Sequence, residues 1–110
     1  MGTYRQRLRT VVEQRGALVV GIDPHPSLLD AWGLARTASG LENCARGLVE
    51  AIGDQVAVFK PQSAFFETYG SAGIAVLERV LADIRDKGAI SILDVKRGDI
   101  GSTMDVYADA

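Results

Sequence analysis

The chain has 110 residues, of which 47% are hydrophobic and 24% charged, a composition typical of globular rather than disordered proteins. Its 12 basic and 14 acidic side chains give a formal net charge of −2, so no basic surface is expected for nucleic acid or anionic lipid. No apolar run approaches the ~20 residues that span a bilayer. The first residues lack the apolar stretch of a signal peptide, and the single cysteine, Cys44, cannot form an internal disulfide. We therefore expect a cytoplasmic protein.

The first predicted unit is a helix followed by a strand. The helix ends at Gly16, and its apolar face consists of Tyr4, Leu8, Val11 and Val12. The continuous apolar run 17–22 then predicts a parallel strand buried on both faces, ending at Asp23. His25 stands alone between two prolines, so we expect a loop residue rather than a metal ligand. Residues 27–40 are predicted to form a loop.

The same pattern returns in the middle of the chain. A second helix ends at Gly53, and its apolar stripe consists of Leu41, Ala45, Leu48 and Ile52. The short apolar segment 55–59 predicts a second strand, which ends at Lys60 and is interrupted by Pro61. This unit therefore also places a charged residue directly after its strand.

A third unit follows, with the same order of elements. Apolar residues at helical spacing predict one long helix from Phe66 to Ile84, closed by Gly88. The segment 89–93 predicts a third strand that leads into Asp94. Residues 100–110 have the pattern of the beginning of another helix.

The spacing of these units indicates the fold class. The predicted strands start at positions 17, 55 and 89, and helices between strands at such intervals indicate a parallel α/β sheet with helical crossovers. A (β/α)₈ barrel needs about 250 residues, so the chain would hold roughly its first three units within one domain, residues 1–110. A small three-stranded α/β sandwich is the competing architecture.

Charged residues follow all three predicted strands, where parallel α/β proteins carry their active sites. Asp23, Lys60 and Asp94 should meet at this edge, and Lys96 should point to the same side as Asp94, two residues earlier. Asp99 follows a glycine and could return to the edge or reach a partner subunit. Such an array can hold a lysine proton donor among carboxylates, although a purely structural network of ion pairs would use the same residue types.

Three sequence motifs resemble one enzyme family. The run Asp94-x-Lys96-Arg97-x-Asp99-Ile100-x-x-Thr103 resembles the signature of the orotidine 5′-phosphate decarboxylases. The segments Gly21-Ile22-Asp23-Pro24-His25-Pro26 and Phe59-Lys60-Pro61-Gln62-x-Ala64-Phe65-Phe66-Glu67 resemble the bacterial branch with longer chains, often called type 2. The resemblance covers nearly the whole chain, and the motifs occur in the family's order.

The resemblance implies a fold, an assembly and a reaction. It implies a (β/α)₈ barrel that works as a homodimer with shared active sites, uses no metal or organic cofactor, and converts orotidine 5′-phosphate to UMP. By the same resemblance, Asp23 contacts the substrate ribose, and Lys60 binds a ribose hydroxyl and pairs with Asp94. The residues that contact the phosphate and the pyrimidine edge are expected after Ala110.

The signature run carries the remaining roles that the resemblance implies. Asp94 lies against the orotate carboxylate, and Lys96 donates the proton that replaces the departing CO₂. Asp99, together with Ile100 and Thr103, is delivered into the neighbouring subunit's site.

Two other functions fit part of this pattern. Keto-gulonate-phosphate decarboxylases and hexulose-phosphate synthases share an Asp-x-Lys-x-x-Asp element but use Mg²⁺, which a glutamate after the second strand helps to hold. The corresponding residue here is Lys60, whose ammonium would oppose a divalent cation, so the metal-free reaction is favoured. A non-catalytic fragment or assembly piece that keeps the motif is the second alternative.

Overall fold

The structure, a computed structural model, describes residues 3–95. Its elements in chain order are α1 (Tyr4–Arg15), β1 (Val19–Ile22), α2 (Pro26–Ala31), α3 (Ala38–Ile52), β2 (Val58–Pro61), α4 (Ser63–Glu67), α5 (Gly70–Asp86) and β3 (Ile90–Ser91). No helix within residues 3–95 is long and apolar enough to cross a membrane. Helices alternate with short strands, as the sequence pattern predicts.

The three strands form one parallel sheet in the order β1-β2-β3. Val19–Ile22 pairs residue by residue with Val58–Pro61, and Val58 and Phe59 pair with Ile90 and Ser91. Parallel neighbours require a crossover, which α3 provides between β1 and β2, and α4 with α5 between β2 and β3. The predicted α/β class is therefore confirmed, and strands that follow one another in chain order are the arrangement of successive units in a (β/α)₈ barrel.

One face of the sheet carries the main core. The side chains of α3 and α5 pack there on Ile22 of β1 and Phe59 of β2, which are 1% and 0% exposed. Burying an aromatic or large aliphatic side chain of this kind stabilises a fold by about 1.5–3 kcal/mol. The buried helix residues in this core are Leu41, Ala45, Val49, Phe66, Val76, Leu77, Val80 and Ile84.

The opposite face of the sheet is covered only in part. Val11 of α1 packs there on Val58 and Ile90, whereas Val19 is 51% exposed and Ile92 is 44% exposed. The prediction that β1 is buried on both faces is therefore wrong within residues 3–95, because α1 covers β2 and β3 but does not cover β1. In a closed (β/α)₈ barrel this face is the interior, filled by layers of side chains.

The C-terminus of α1 is tied to the amino ends of the other strands by Arg15. Its guanidinium donates to the carbonyl oxygens of Gly53 (2.8 Å) and Val56 (3.1 Å), which precede β2. It also donates to the carbonyl of Lys87 (2.7 Å), which precedes β3. One side chain thus links three segments at the edge opposite the predicted site.

Charged side chains join α3 to α5 on the outer surface. Arg46 donates to Asp83 at 2.7 Å, and Glu42 accepts from both Arg79 (2.8 Å) and Arg46 (2.9 Å). Hydrogen bonds from Arg79 and Arg46 lower the pKa of Glu42 below its ordinary value. The network fixes the relative position of the two crossover helices.

The predicted loop over residues 27–40 contains a helix. α2 occupies Pro26–Ala31, and His25 caps it, because its Nδ1 atom accepts a hydrogen bond from the backbone N–H of Leu28 at 3.2 Å. The same Nδ1 lies 2.7 Å from the Ser27 hydroxyl. A histidine cap and a proline in the first turn explain why this short segment becomes helical.

The long helix predicted from Phe66 to Ile84 is two helices. α4 ends at Glu67, and α5 begins at Gly70, which has a positive φ of 64° that favours glycine. The second helix passes very close to the first, because a Cβ on Gly73 would lie 1.9 Å from the Phe66 carbonyl oxygen. Glycine at these two positions therefore allows the chain to turn sharply between the helices.

The strands are shorter than predicted, or shifted along the chain. β1 begins at Val19 rather than at residue 17, and β3 covers Ile90–Ser91 rather than 89–93. β2 covers Val58–Pro61 rather than 55–59, because the N–H of Gln55 still bonds to the Ile52 carbonyl at 3.0 Å and belongs to the turn after α3.

Candidate functional site

Lys60 lies inside β2 and not after it. Phe59 points into the main core, so alternation along the strand directs the Lys60 side chain to the opposite face of the sheet. On the neighbouring strand β1, Lys60 is paired with Gly21, which has no side chain to cover the lysine. The lysine side chain is 45% exposed.

Pro61 does not end the second strand. A proline has no N–H to give to β3, and the regular pairing of β3 ends at Ser91. Pairing resumes as a parallel bridge between Gln62 and Asp94, in which the Asp94 N–H donates to the Pro61 carbonyl at 2.9 Å. The Ser63 N–H donates to the Asp94 carbonyl, also at 2.9 Å. The backbone of Asp94 is thus fixed to the end of β2 on both sides.

The structure brings Lys60 and Asp94 together. The Lys60 Nζ atom lies 4.0 Å from Asp94 Oδ2, and the Asp94 side chain is only 19% exposed. Both side chains project from the same face of the sheet, at the carboxyl ends of adjacent strands. The close approach of these two predicted site residues is therefore present in the structure.

Asp23 occupies the same edge on the first strand. Ile22 pairs with Pro61, so the next residues along, Asp23 and Gln62, lie at one level, and Asp94 bridges to Gln62. The Asp23 carboxylate folds back over Gly21, since a Cβ on that glycine would lie 2.9 Å from Asp23 Oδ2. The carboxylate is therefore turned toward the register position of Lys60.

This arrangement suits a polar ligand rich in hydroxyl groups. The Lys60 ammonium donates hydrogen bonds only, whereas the carboxylates of Asp23 and Asp94 accept them. A hydroxyl group both donates and accepts, so a sugar placed at this edge can bond to both kinds of side chain. Within residues 3–95, no group of three or more His, Cys, Asp or Glu side chains is placed to hold a metal ion.

Four predicted site residues lie outside the described residues 3–95. They are Lys96, Asp99, Ile100 and Thr103. Their roles stay predictions.

His25 and Cys44 make contacts within the fold and lie outside the candidate site. His25, expected in a loop, caps α2, and its ring lies edge-on to Phe65 with the ring centres 6.0 Å apart. Cys44 is buried on α3, and burial raises the pKa of its thiol, as expected of a packed thiol.

Sequence reasoning assigned no role to Gln62, which lies between the strands that carry Asp23 and Asp94. Its side-chain oxygen Oε1 is buried, and no donor within residues 3–95 bonds to it. The alternation of side chains along a strand points to this residue, because Gln62 follows Lys60 by two positions and an extended chain places both side chains on one face.

Comparisons with known proteins agree with these observations. The family model described as "Orotidine 5'-phosphate decarboxylase / HUMPS family" matches residues 16–110. The chain is 57% identical over 110 residues to the orotidine 5′-phosphate decarboxylase of Salinispora tropica, and 54% identical over 110 residues to that of Streptomyces coelicolor. Each match covers all of this chain and 40% of the relative, so the chain spans about two fifths of the length of these proteins.

Solved structures give the same relationship. A crystal structure ascribed to an orotidine 5′-phosphate decarboxylase of Streptomyces avermitilis matches with a TM-score of 0.84 and 55% identity, over 100% of this chain and 39% of that one. The OMP decarboxylase of Leishmania donovani matches with a TM-score of 0.70 and 34% identity, over 97% and 38% of the two chains. These neighbours have the (β/α)₈ barrel fold, of which this chain forms the first units. The chain belongs to the orotidine 5′-phosphate decarboxylase / HUMPS family.

Proposed function

We propose that the full-length protein carrying this chain decarboxylates orotidine 5′-phosphate to UMP, in the cytoplasm and without a metal or organic cofactor. The observation that carries the proposal is the Lys60–Asp94 pair, with Nζ and Oδ2 4.0 Å apart at the carboxyl ends of adjacent strands, in a chain of this family. The names of its relatives support the same reaction.

The chemistry requires a positive charge fixed near the reacting carbon. When CO₂ leaves C6 of orotate, an electron pair remains in the plane of the ring, where the π-system does not stabilise it. An ammonium fixed near C6 stabilises that carbanion more than it stabilises the substrate, which is the condition for acceleration. In this proposal Lys96 supplies the ammonium and then donates its proton to C6.

The residues at the strand ends bind and orient the substrate. Lys60 donates to a ribose hydroxyl, Asp23 accepts from the ribose, and Asp94 lies against the orotate carboxylate. The backbone of Asp94 is held by the Pro61 carbonyl and the Ser63 N–H, so its side chain projects from a fixed point at the end of β2. Repulsion between the two carboxylates is a secondary contribution, since destabilisation of the bound substrate is a contested source of catalysis.

The proposed enzyme is a homodimer with shared sites. Asp99, Ile100 and Thr103 enter the partner's site, and contacts to the phosphate and the pyrimidine edge come from segments after Ala110. Binding energy from these distant groups is used at the reacting ring.

A Mg²⁺-dependent sugar-phosphate enzyme of the same barrel group is disfavoured by one observation. Lys60 occupies the end of β2, and its ammonium lies on the face where that reaction needs a metal-binding carboxylate. A cation there would be repelled rather than bound.

The test uses the full-length gene product and the loss of orotidine 5′-phosphate absorbance. We expect cofactor-free turnover, and a loss of roughly 10²–10³-fold in kcat/KM for Lys60→Ala and for Asp94→Asn. Lys87→Ala is the matched control, because Lys87 pairs with Glu50 at 3.4 Å before β3, at the opposite edge of the sheet. Its kcat/KM should stay within about 2-fold of the parent, because Lys87 lies at the edge of the sheet opposite the proposed site.

Three results would contradict the proposal. The first is that the full-length protein does not release CO₂ from this substrate. The second is an equal effect of Lys60→Ala and Lys87→Ala on kcat/KM. The third is activity that a chelator abolishes and Mg²⁺ restores, which would favour the sugar-phosphate reaction.

A further inference from the structure

The starting observation is a buried acceptor without a donor. The Oε1 atom of Gln62 is buried, and no group within residues 3–95 donates a hydrogen bond to it. An unpaired buried acceptor costs free energy, and such atoms are rare in folded proteins. A role in function is one explanation for a buried acceptor that has no donor, because such an acceptor is free to bond when a ligand is present.

The backbone places this side chain beside Lys60. Gln62 has φ −94° and ψ 110°, so the chain is still extended and alternation puts its side chain on the same face as Lys60, two residues earlier. Its N–H donates to the Ile22 carbonyl at 3.0 Å, and it bridges to Asp94. Gln62 is therefore anchored on both sides, next to the Lys60–Asp94 pair.

Lys60 has more hydrogen-bond donors than its described ion pair uses. An ammonium carries three N–H donors, and the Asp94 carboxylate lies 4.0 Å away, longer than a hydrogen bond. The lysine side chain is 45% exposed here, so water serves the remaining donors. A substrate that covers this edge removes that water, and the ammonium then needs acceptors from the protein.

We propose that Gln62 is a positioning residue that acts through Lys60. When substrate covers the site, the Lys60 ammonium donates to Gln62 Oε1, which fixes it between Asp94 and the substrate ribose. A neutral amide suits this position, since a carboxylate would add a second negative charge beside Asp94 and repel the substrate. This inference rests on the proposed function, because it assigns an acceptor to the lysine that binds the ribose.

The proposal predicts opposite effects on stability and activity. Gln62→Leu and Gln62→Met remove the unpaired acceptor but keep most of the side-chain volume. Without ligand, the thermal midpoint of either variant should equal or exceed that of the parent. The kcat/KM should fall by about 10- to 100-fold, as expected for one hydrogen bond to a charged group. Gln62→Asn, which keeps a shorter acceptor, should recover part of this loss.

A double-mutant cycle with Lys60 separates positioning from a structural role. If Gln62 acts through the lysine, Lys60→Ala combined with Gln62→Leu should be no slower than Lys60→Ala alone. Asp23→Asn combined with Gln62→Leu is the matched control, and there the two losses should multiply. All variants are made in the full-length gene product and compared by kcat/KM and thermal midpoint.

Two outcomes would overturn the inference. One is multiplication of the Lys60→Ala and Gln62→Leu losses; the other is a lower thermal midpoint for both Gln62→Leu and Gln62→Met. Failure of the proposed function is recognised separately, because the unsubstituted protein would then not decarboxylate orotidine 5′-phosphate.

Discussion

Single residues at the carboxyl edge of the sheet are placed by their nearest neighbours along the strand. Gly21 is the clearest case, because its missing side chain leaves room for the Asp23 carboxylate to fold back over the strand. The same glycine pairs with Lys60 across the sheet. A residue without chemical groups of its own thus determines where a carboxylate of the proposed site lies.

We therefore expect Gly21→Ala to weaken substrate binding without unfolding the protein. The new Cβ would lie 2.9 Å from Asp23 Oδ2, the end of an exposed side chain that can rotate away, so the cost to stability is small. A displaced Asp23 should raise KM roughly 10-fold, a modest loss for a misplaced contact. Steady-state kinetics on the full-length gene product, together with thermal melting, measures both quantities.

Gly47→Ala is the control for this substitution. Gly47 lies within α3, and a Cβ there has no atom within 4 Å among the described residues. Replacing a glycine inside a helix by alanine stabilises by about 0.5–1 kcal/mol, and KM should not change. An unchanged KM in Gly21→Ala would show that the glycine does not position Asp23.

Periodicity predicted the type and order of the main helices and strands but not their limits. The apolar runs identified three parallel strands correctly, because each strand buries at least one face against the crossover helices or α1. The limits of β2 depended on one local turn and on one contact between residues distant in sequence. The N–H of Gln55 is used by the turn after α3, and the Val56 carbonyl accepts from Arg15, which is distant in sequence.

Part of the candidate site was predictable from the sequence, and part depended on packing. Their positions after adjacent parallel strands placed Lys60 and Asp94 at one edge, and the structure brings them to 4.0 Å. The role inferred for Gln62 required knowing that its Oε1 is buried and lacks a donor within residues 3–95, which depends on the packing of the sheet. α2 was missed because its N-terminal cap is a histidine, whereas the usual caps are serine, threonine, aspartate and asparagine.

Arg15 gives a prediction about how the elements are joined. Arg15→Ala removes three hydrogen bonds to the carbonyls of Gly53, Val56 and Lys87. Because the donor is charged and the acceptors are partly buried, the free energy of unfolding should fall by about 2–4 kcal/mol. Urea titration of the full-length gene product measures this loss.

Two further substitutions test the geometry of that link. Arg15→Lys keeps the charge but not the planar fork, so it should recover only part of the stability. Arg9→Ala, on an exposed position of the same helix, should change the free energy of unfolding by no more than about 0.5 kcal/mol. Equal losses for Arg15→Ala and Arg9→Ala would show that the fork does not stabilise the fold.

The face of the sheet opposite the main core combines two properties. It carries half-exposed apolar side chains at Val19 and Ile92, and it carries the ammonium of Lys60. In a (β/α)₈ barrel such apolar side chains fill the interior, while the residues at the carboxyl ends of the strands face the substrate. The chain spans about 40% of the length of its relatives, and in those proteins the remaining length is available to complete that interior.

The proposed sharing of sites between subunits gives the last prediction. In this proposal each site uses Lys96 from one subunit and Asp99 from the other, so Lys96→Ala and Asp99→Asn should each inactivate a homodimer. In a mixed dimer one site carries both substitutions and the other carries neither. Random exchange makes half of the dimers mixed, so about one quarter of the parent's sites should become active.

The measurement mixes equal amounts of the two inactive full-length variants under conditions that exchange subunits. Recovery near one quarter of the parent's kcat, with KM unchanged, supports the shared site, because the restored sites contain only parental residues. The control mixes Lys96→Ala with Asp94→Asn. In this proposal both of these residues belong to the same subunit's half of the site, so every site in a mixed dimer should keep one of the two substitutions. No recovery in the first mixture despite verified exchange would place Asp99 in its own subunit's site. Equal recovery in both mixtures would contradict the assignment of Lys96 and Asp94 to the same subunit.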